Sequence, residues 1–398
     1  MKILIVSNKA NYPPDGGSIA TLNFAKSYAK KGNRIFIFNM LTHKHYHKDN
    51  LLEQEYVDKI NISGIKVNTR ICFIRLFFNL LFSRKPYIAI RFYKKNFAKA
   101  LIKLITEQQF DTIQLEGLYT LQYINKIKKY YPGKIVYRPH NVEHIIWEKN
   151  AKRTNNYLKK YYYKNLSRRL KYLEEKLLNT YHCILPISGT DSVYYQVWGN
   201  QKPMLTTPFG IDIEHFTKYH NNLVNQESIV YLGALDWIPN QEGTIWFIEK
   251  CFPLITSTLS QVKFVVGGRN APNWLIKKFN QPNIQFVDNI DNAYDFLSQQ
   301  GVVIVPLFSG SGIRVKIIES MALGKAIVST SIGADGIQYT HNKNILIADT
   351  AEDFAQSVIS LINNSQKAKE LGANALELVK SNYNMNALAQ QTIDFLTK

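Results

Sequence analysis

Short apolar runs closed by turn residues alternate with helix-period segments along most of this chain, a pattern that argues for α/β architecture built on parallel sheets. Lys2 to Val6, Arg34 to Asn39, Thr112 to Leu115, Lys134 to Tyr137 and Cys183 to Ile187 read as the strands of one sheet. A helix from Ile19 to Lys31, apolar at Ile19, Leu22, Ala25 and Tyr28, separates the first two, and Gly32 stops it. A second series begins at Ile229 to Leu232, runs through Lys263 to Val266, Ile284 to Val287 and Val302 to Pro306, and resumes at Ala326 to Thr330. The tail from Asp353 to Lys398 reads as helical throughout. Two doubly wound domains in tandem follow, 1–205 and 206–382, divided at the turn-rich stretch Pro208 to Asp212.

The length agrees, since 398 residues exceed what one hydrophobic core usually holds. Charge is divided as unevenly as the folding pattern is regular. Residues 1–200 carry 34 Lys and Arg against 13 Asp and Glu, whereas residues 201–398 carry 15 against 17. A field of one sign on one half attracts phospholipid headgroups, pyrophosphate-linked lipids or nucleic acid, and charge alone does not choose among them. Cys72, Cys183 and Cys251 are odd in number and far apart, with no CxxC pair, so neither a disulfide framework nor a metal site is expected. The opening MKILIVSNKA is too short in its apolar part for a signal peptide and reads as a buried strand. The most apolar stretch elsewhere, Ile71 to Phe82, is broken by Arg75 and Asn79 and is too short to span a bilayer. A cytoplasmic protein is expected, with the option of resting on the inner face of the membrane. Ile71 to Ile105, where Phe, Leu and Ile mix with Arg and Lys, fits an amphipathic surface on anionic lipid. Periodicity favours the other reading, a core-facing helix with a solvated basic face.

The chemistry concentrates between residues 301 and 337. Val302 to Pro306 is apolar throughout, as in a central strand, and ends in Leu307-Phe308-Ser309-Gly310-Ser311-Gly312 ahead of a helix from about Ile313 to Leu323. A ligand outside the carboxyl end of that strand meets the Gly/Ser loop first. Gly310 and Gly312 let backbone amides approach a bound group, and the helix start adds about half a positive charge. Those are the requirements of a pyrophosphate. Arg314 and Lys316 fall in the first turn, where the helix dipole disfavours cations unless an anion is bound nearby. Glu319 shares a helix face with Lys316 and is placed to accept hydrogen bonds from ribose hydroxyls. An ordinary Lys316/Glu319 pair on a solvated helix is the alternative.

The segment GSGIRVKIIESMALGKAIVSTSIGADGI, Gly310 to Ile337, resembles the donor-binding signature of retaining GT-B glycosyltransferases of family 4. Pro13 with Gly16-Gly17, Arg138 to Glu143, Ser188 with Asp191, Pro208 to Asp212 with Phe216, Gly233 to Asn240 and Gly267-Gly268-Arg269 match in order and spacing. The resemblance implies a GT-B fold, two Rossmann-like doubly wound domains facing across a cleft. It makes the last helix, 383–398, one that completes the first domain. It implies that Glu319 binds the donor ribose, that Gly17 lies near the reacting sugar and that His140 contacts its hydroxyls, with Glu143 beside it. Ser311 stands where the family has the first Glu of its Glu-x7-Glu motif, and Gly233 to Asn240 lacks the Arg and Lys that usually neutralise the diphosphate. Arg314 and Lys316 are the substitutes, with Arg269 as a third.

On this reading His140, Arg314 and Lys316 are the catalytic residues, and Gly16, Gly17, Arg269, Gly310, Ser311, Gly312, Ile313 and Glu319 bind the donor. Glu116, after the strand Thr112 to Leu115, would face the cleft and orient the acceptor. The expected reaction moves a sugar from a nucleoside-diphosphate sugar to a hydroxyl of a saccharide or lipid-linked saccharide, with retention and with no metal or cofactor. The setting is cell-surface polysaccharide or glycolipid synthesis. Partners are the donor, the acceptor and an anionic membrane surface, with no nucleic acid. The competing readings are a GT-B-like sugar-nucleotide epimerase and a non-enzymatic protein that binds anionic lipid or nucleic acid.

Overall fold

The computed structural model describes residues 1–13, 16–47, 54–220, 222–309 and 313–398. They form two compact units, one of Met1–Gly210 with Met385–Lys398 and one of Ile211–Asn384.

The first unit is built on six parallel strands, β1 (Lys2–Ser7), β2 (Arg34–Leu41), β3 (Ile60–Lys66), β4 (Thr112–Glu116), β5 (Lys134–Arg138) and β6 (Cys183–Ile184), in the order β3-β2-β1-β4-β5-β6. Both faces of β1 are covered, which is why its sequence is apolar without alternation. Leu4 and Val6 pack on one side with Phe97, Leu101, Ile113 and Leu115. Ile3 and Ile5 pack on the other with Phe24 and Tyr28 of the Gly16–Lys30 helix and with Met385 and Ala389 of the Met385–Thr397 helix. The C-terminal helix is thus part of the first unit's core, and Lys134 Nζ adds a hydrogen bond to the Leu396 carbonyl at 2.5 Å.

The second unit repeats the plan. Its strands are β7 (Asn225–Leu232), β8 (Lys263–Gly268), β9 (Ile284–Asp288), β10 (Gln300–Val305), β11 (Ala326–Ser329) and β12 (Leu346–Ile347), again all parallel, in the order β12-β11-β10-β7-β8-β9. Counted from its own first strand, this is the winding 3-2-1-4-5-6 of the first unit. Each sheet therefore reverses its winding once, between β1 and β4 in the first unit and between β7 and β10 in the second, and ligands of such sheets bind beyond the strand ends at that point.

The tail read as helical throughout consists of three helices, Ala351–Asn363, Ser365–Asn382 and Met385–Thr397. Asn364 ends the first and caps the second, its side chain accepting from the Lys367 amide. Within the Ile71 to Ile105 stretch the core-facing expectation holds for the Lys95–Glu107 helix, which buries Phe97, Ala98, Leu101 and Ile105, and fails for the Phe73–Phe82 helix, of which no residue is buried.

Gly243, buried in the Ile238–Trp246 helix, packs directly on the carbonyl of Pro306 at the end of β10, where an added Cβ would collide with that oxygen. Gly243→Ala is expected to destabilise the second unit by about 1–3 kcal/mol, the usual cost of overpacking. A lowered urea midpoint checks this.

Candidate active site

At the switch point of the second unit the residues after β7 meet the start of the Val315–Ala322 helix. Lys316 is half-buried as a whole, but its ammonium end is enclosed. Nζ donates to the Tyr231 hydroxyl at 3.2 Å and to Asn240 Oδ1 at 3.4 Å, and lies 4.4 Å from the Tyr231 ring centroid. Asn240 is fixed for this task, since its amide nitrogen donates to the Ala234 carbonyl at 2.8 Å. Gly233 completes the enclosure by absence: a Cβ there would come within 2.9–3.0 Å of the Tyr231 hydroxyl, Asn240 Nδ2 and Lys316 Nζ. Burial, reinforced by Arg314 and opposed by Glu319, lowers the Lys316 ammonium to about 7.

Arg314 is the residue that opens the helix, in extended conformation and only 6% exposed. Its Nη2 reaches toward the Ser309 carbonyl at 3.5 Å, and its guanidinium lies 5.8 Å from the Trp237 ring centroid. Two cations thus stand at the positive end of one helix. The sequence reading allowed Lys316 and Glu319 to pair with each other, yet each takes its own partner. Glu319 accepts from the Tyr294 hydroxyl at 2.9 Å, with Tyr294 held against Phe216 and His215. Burial raises the Glu319 carboxyl, while Tyr294 and Lys316 draw it back.

The other expected donor residues are more scattered. Ile313 is half-buried beside Gly336. The Arg269 side chain is exposed, and only its backbone touches this region, accepting from the Leu235 amide at 2.9 Å. Gly310, Ser311 and Gly312 lie outside the described residues. Tyr231, Asn240 and Tyr294 were not singled out from sequence. Tyr231 is hidden in an apolar run, and Asn240 stands in a stretch read for the cations it lacks.

The switch point of the first unit is organised around a carboxylate. Glu116 ends β4 and is fully buried, so it is not placed to touch an acceptor directly, as the sequence reading allowed for a carboxylate facing the cleft. Arg138 is its partner in the β4–β5 register and donates to Oε2 at 3.0 Å. His140 Nε2 makes a very short contact with the same oxygen, Thr21 reaches it at 3.4 Å, and Gln114, two residues back on the same face, donates to Oε1 at 2.5 Å. Burial alone would raise this carboxyl, but Arg138, then His140 and Gln114, outweigh it and hold it at about 2. Glu116 is therefore the group that orients His140. A Cβ on Gly17 would stand 3.3 Å from His140 Nδ1 and 3.0 Å from Lys9 Nζ, so a side chain at 17 would crowd the imidazole. Gly16 opens the helix and is exposed. Glu143 accepts from the Tyr119 hydroxyl at 2.9 Å, and burial raises it to about 7, with Tyr119 opposing and Glu174 adding.

Residues 226–364, which include Lys316 and every partner named for it, match the family described as "Glycosyl transferases group 1". The chain is a glycosyltransferase. The enzyme is 23% identical to a Klebsiella pneumoniae protein described as "Uncharacterized 44.6 kDa protein in cps region", over 96% of each chain. Its fold is GT-B. The sucrose-phosphate synthase of Thermosynechococcus elongatus superposes with a TM-score of 0.69 at 15% identity, covering 99% of this chain and 98% of that one. Anabaena HepE in complex with UDP does so at 0.68 and 14%, over all of both chains.

A carboxyl held below its ordinary value stabilises the fold above that value, and the stabilisation fades as pH falls toward about 2. Glu116→Ala leaves the Arg138 guanidinium buried and uncompensated and is expected to cost about 3–5 kcal/mol. Denaturant titrations should also show the variant's stability falling less steeply than wild type's below the ordinary carboxylate range.

Proposed function

We propose that the enzyme transfers a sugar from a nucleoside-diphosphate sugar to an acceptor hydroxyl, with retention, without a metal, in the assembly of surface polysaccharide or glycolipid. The observation that carries this reading is the enclosed ammonium of Lys316, set with Arg314 at the start of the Val315–Ala322 helix. Cations there are opposed by the helix dipole and, for Lys316, by burial, and a bound diphosphate relieves both. HepE, which shares the fold, binds UDP, and the relative from a cps region supports the polysaccharide setting.

In the reaction the bond from the anomeric carbon to the diphosphate breaks with its electron pair on the leaving oxygen, the acceptor oxygen bonds to that carbon, and the proton of the acceptor hydroxyl passes to the departing diphosphate. Arg314 and Lys316 stabilise the charge that develops on the diphosphate. Glu319 accepts from the ribose, with Tyr294 fixing its carboxyl. His140, oriented by Glu116, meets the sugar hydroxyls, and Gly17 leaves room for them. Arg269, exposed as it is, ranks below Arg314 and Lys316 for the diphosphate.

A thermal-shift panel of nucleoside diphosphates and their sugars should single out one donor base. Lys316→Ala should weaken that diphosphate at least about tenfold, the loss of one charge-assisted hydrogen bond, and unchanged affinity would reject the assignment. Because the free ammonium sits at about 7, a diphosphate that restores its charge draws in a proton. Calorimetry at about pH 8 in buffers of different ionisation enthalpy should record proton uptake, with affinity falling as pH rises. Nucleoside diphosphate release that needs an acceptor separates transfer from epimerisation.

A further inference from the structure

The Phe73–Phe82 helix is anchored to the first unit without burying its apolar side. Arg169, from the Tyr157–Leu177 helix, holds its last turn, donating to the carbonyls of Asn79 at 3.0 Å and Leu80 at 2.7 Å. At the other end the Tyr87 hydroxyl bridges the backbone of Cys72, accepting from its amide at 2.9 Å and donating to its carbonyl at 3.1 Å. Between these tethers Phe73, Ile74, Phe77, Phe78, Leu81 and Phe82 are each 55–80% exposed. Their spacing places them along one stripe of the helix. A contiguous apolar patch of this size marks a contact with something outside the chain.

The surrounding charge identifies what covers it. From Lys59 to Thr106 the sequence has eleven Lys and Arg and no Asp or Glu, and from Lys149 to Leu173 it has nine and again none. Lys149, Lys152, Lys164, Arg168 and Lys171 line a hollow of about 460 Å³ along the Tyr157–Leu177 helix, with Glu148 the one carboxylate among its lining and paired to Lys152 at 2.7 Å, so five cations face a single anion. Tyr157, Leu158, Tyr161 and Tyr172 stand exposed on that helix. By helical position they lie between the hollow and the side carrying Arg169. A two-fold contact with a second copy would press this field against itself. Among the described residues no helix is long and apolar enough to cross a membrane. An apolar stripe flanked by cations and tyrosines is the composition of a helix lying in the headgroup layer.

We propose that the first unit docks on an anionic bilayer surface, with the Phe73–Phe82 stripe entering the acyl boundary and the Lys164/Arg168 hollow taking lipid phosphate. The docking is independent of the donor site, so its failure leaves the assignment of Lys316 untouched.

Co-sedimentation of the full chain tests it, using vesicles of phosphatidylcholine alone and of phosphatidylcholine mixed with phosphatidylglycerol. Wild type should pellet with the mixed vesicles, and binding should weaken as salt is raised. Phe77→Glu/Phe78→Glu and Lys164→Glu/Arg168→Glu should each lower binding at least about tenfold. Both pairs are surface changes, so Tm and the nucleotide thermal shift should persist. Equal pelleting with both vesicle types would overturn the role of charge. Wild-type levels of binding in the Phe77→Glu/Phe78→Glu variant, or no vesicle binding together with a dimer that this variant dissociates in light scattering, would overturn the proposal.

Discussion

A lysine ammonium withdrawn from water and met by neutral oxygens is the constraint around which the second unit's functional end is arranged. Enclosing that group costs folding energy, and Tyr231 and Asn240 recover part of it through hydrogen bonds. The arrangement closes only because no side chain intrudes at Gly233, and a Cβ on Gly268 of the neighbouring strand would in turn strike the Gly233 carbonyl. Two glycines, a tyrosine inside β7 and an asparagine near the start of the next helix thus serve one ammonium. An ammonium lowered to about 7 changes its charge in response to what binds beside it.

The first unit solves the same topological problem with the opposite sign. Its switch point encloses the Glu116 carboxylate, which Arg138 holds ionised and which in turn fixes His140. Arg138 itself lies 4.3 Å from the centroid of Phe24 and is almost wholly buried. The pairing is a consequence of strand register, since Glu116 and Arg138 are direct neighbours across β4 and β5. Two sheets wound alike therefore present an ionisable group at the same place, a responsive cation in one and a fixed anion in the other.

Most strands were legible because a strand covered on both faces must be apolar throughout, as β1 and β10 are. β3 and β12 escaped notice: β3 is an edge strand with Asn, Ser and Gly among half-exposed residues, and β12 is two residues long. The cations at the helix start could be read from their conflict with the dipole. Their partners could not, because Tyr231 and Asn240 reach Lys316 only through the contact of β7 with β10, 85 and 76 residues away in sequence. Glu116 was misjudged for the same reason, since its burial follows from a strand neighbour that sequence does not reveal. The Phe73–Phe82 helix misled in the other direction, as its periodicity is that of a core helix and nothing in the sequence sets it apart from the Lys95–Glu107 helix that does pack on the core.

The most direct measurement is a crystal structure of the enzyme with a nucleoside diphosphate. The account predicts phosphate oxygens within hydrogen-bond distance of Lys316 Nζ, at the start of the Val315–Ala322 helix, with the ribose hydroxyls on Glu319. Density for the diphosphate in the hollow lined by Lys164 and Arg168, or anywhere else remote from Lys316, would contradict it.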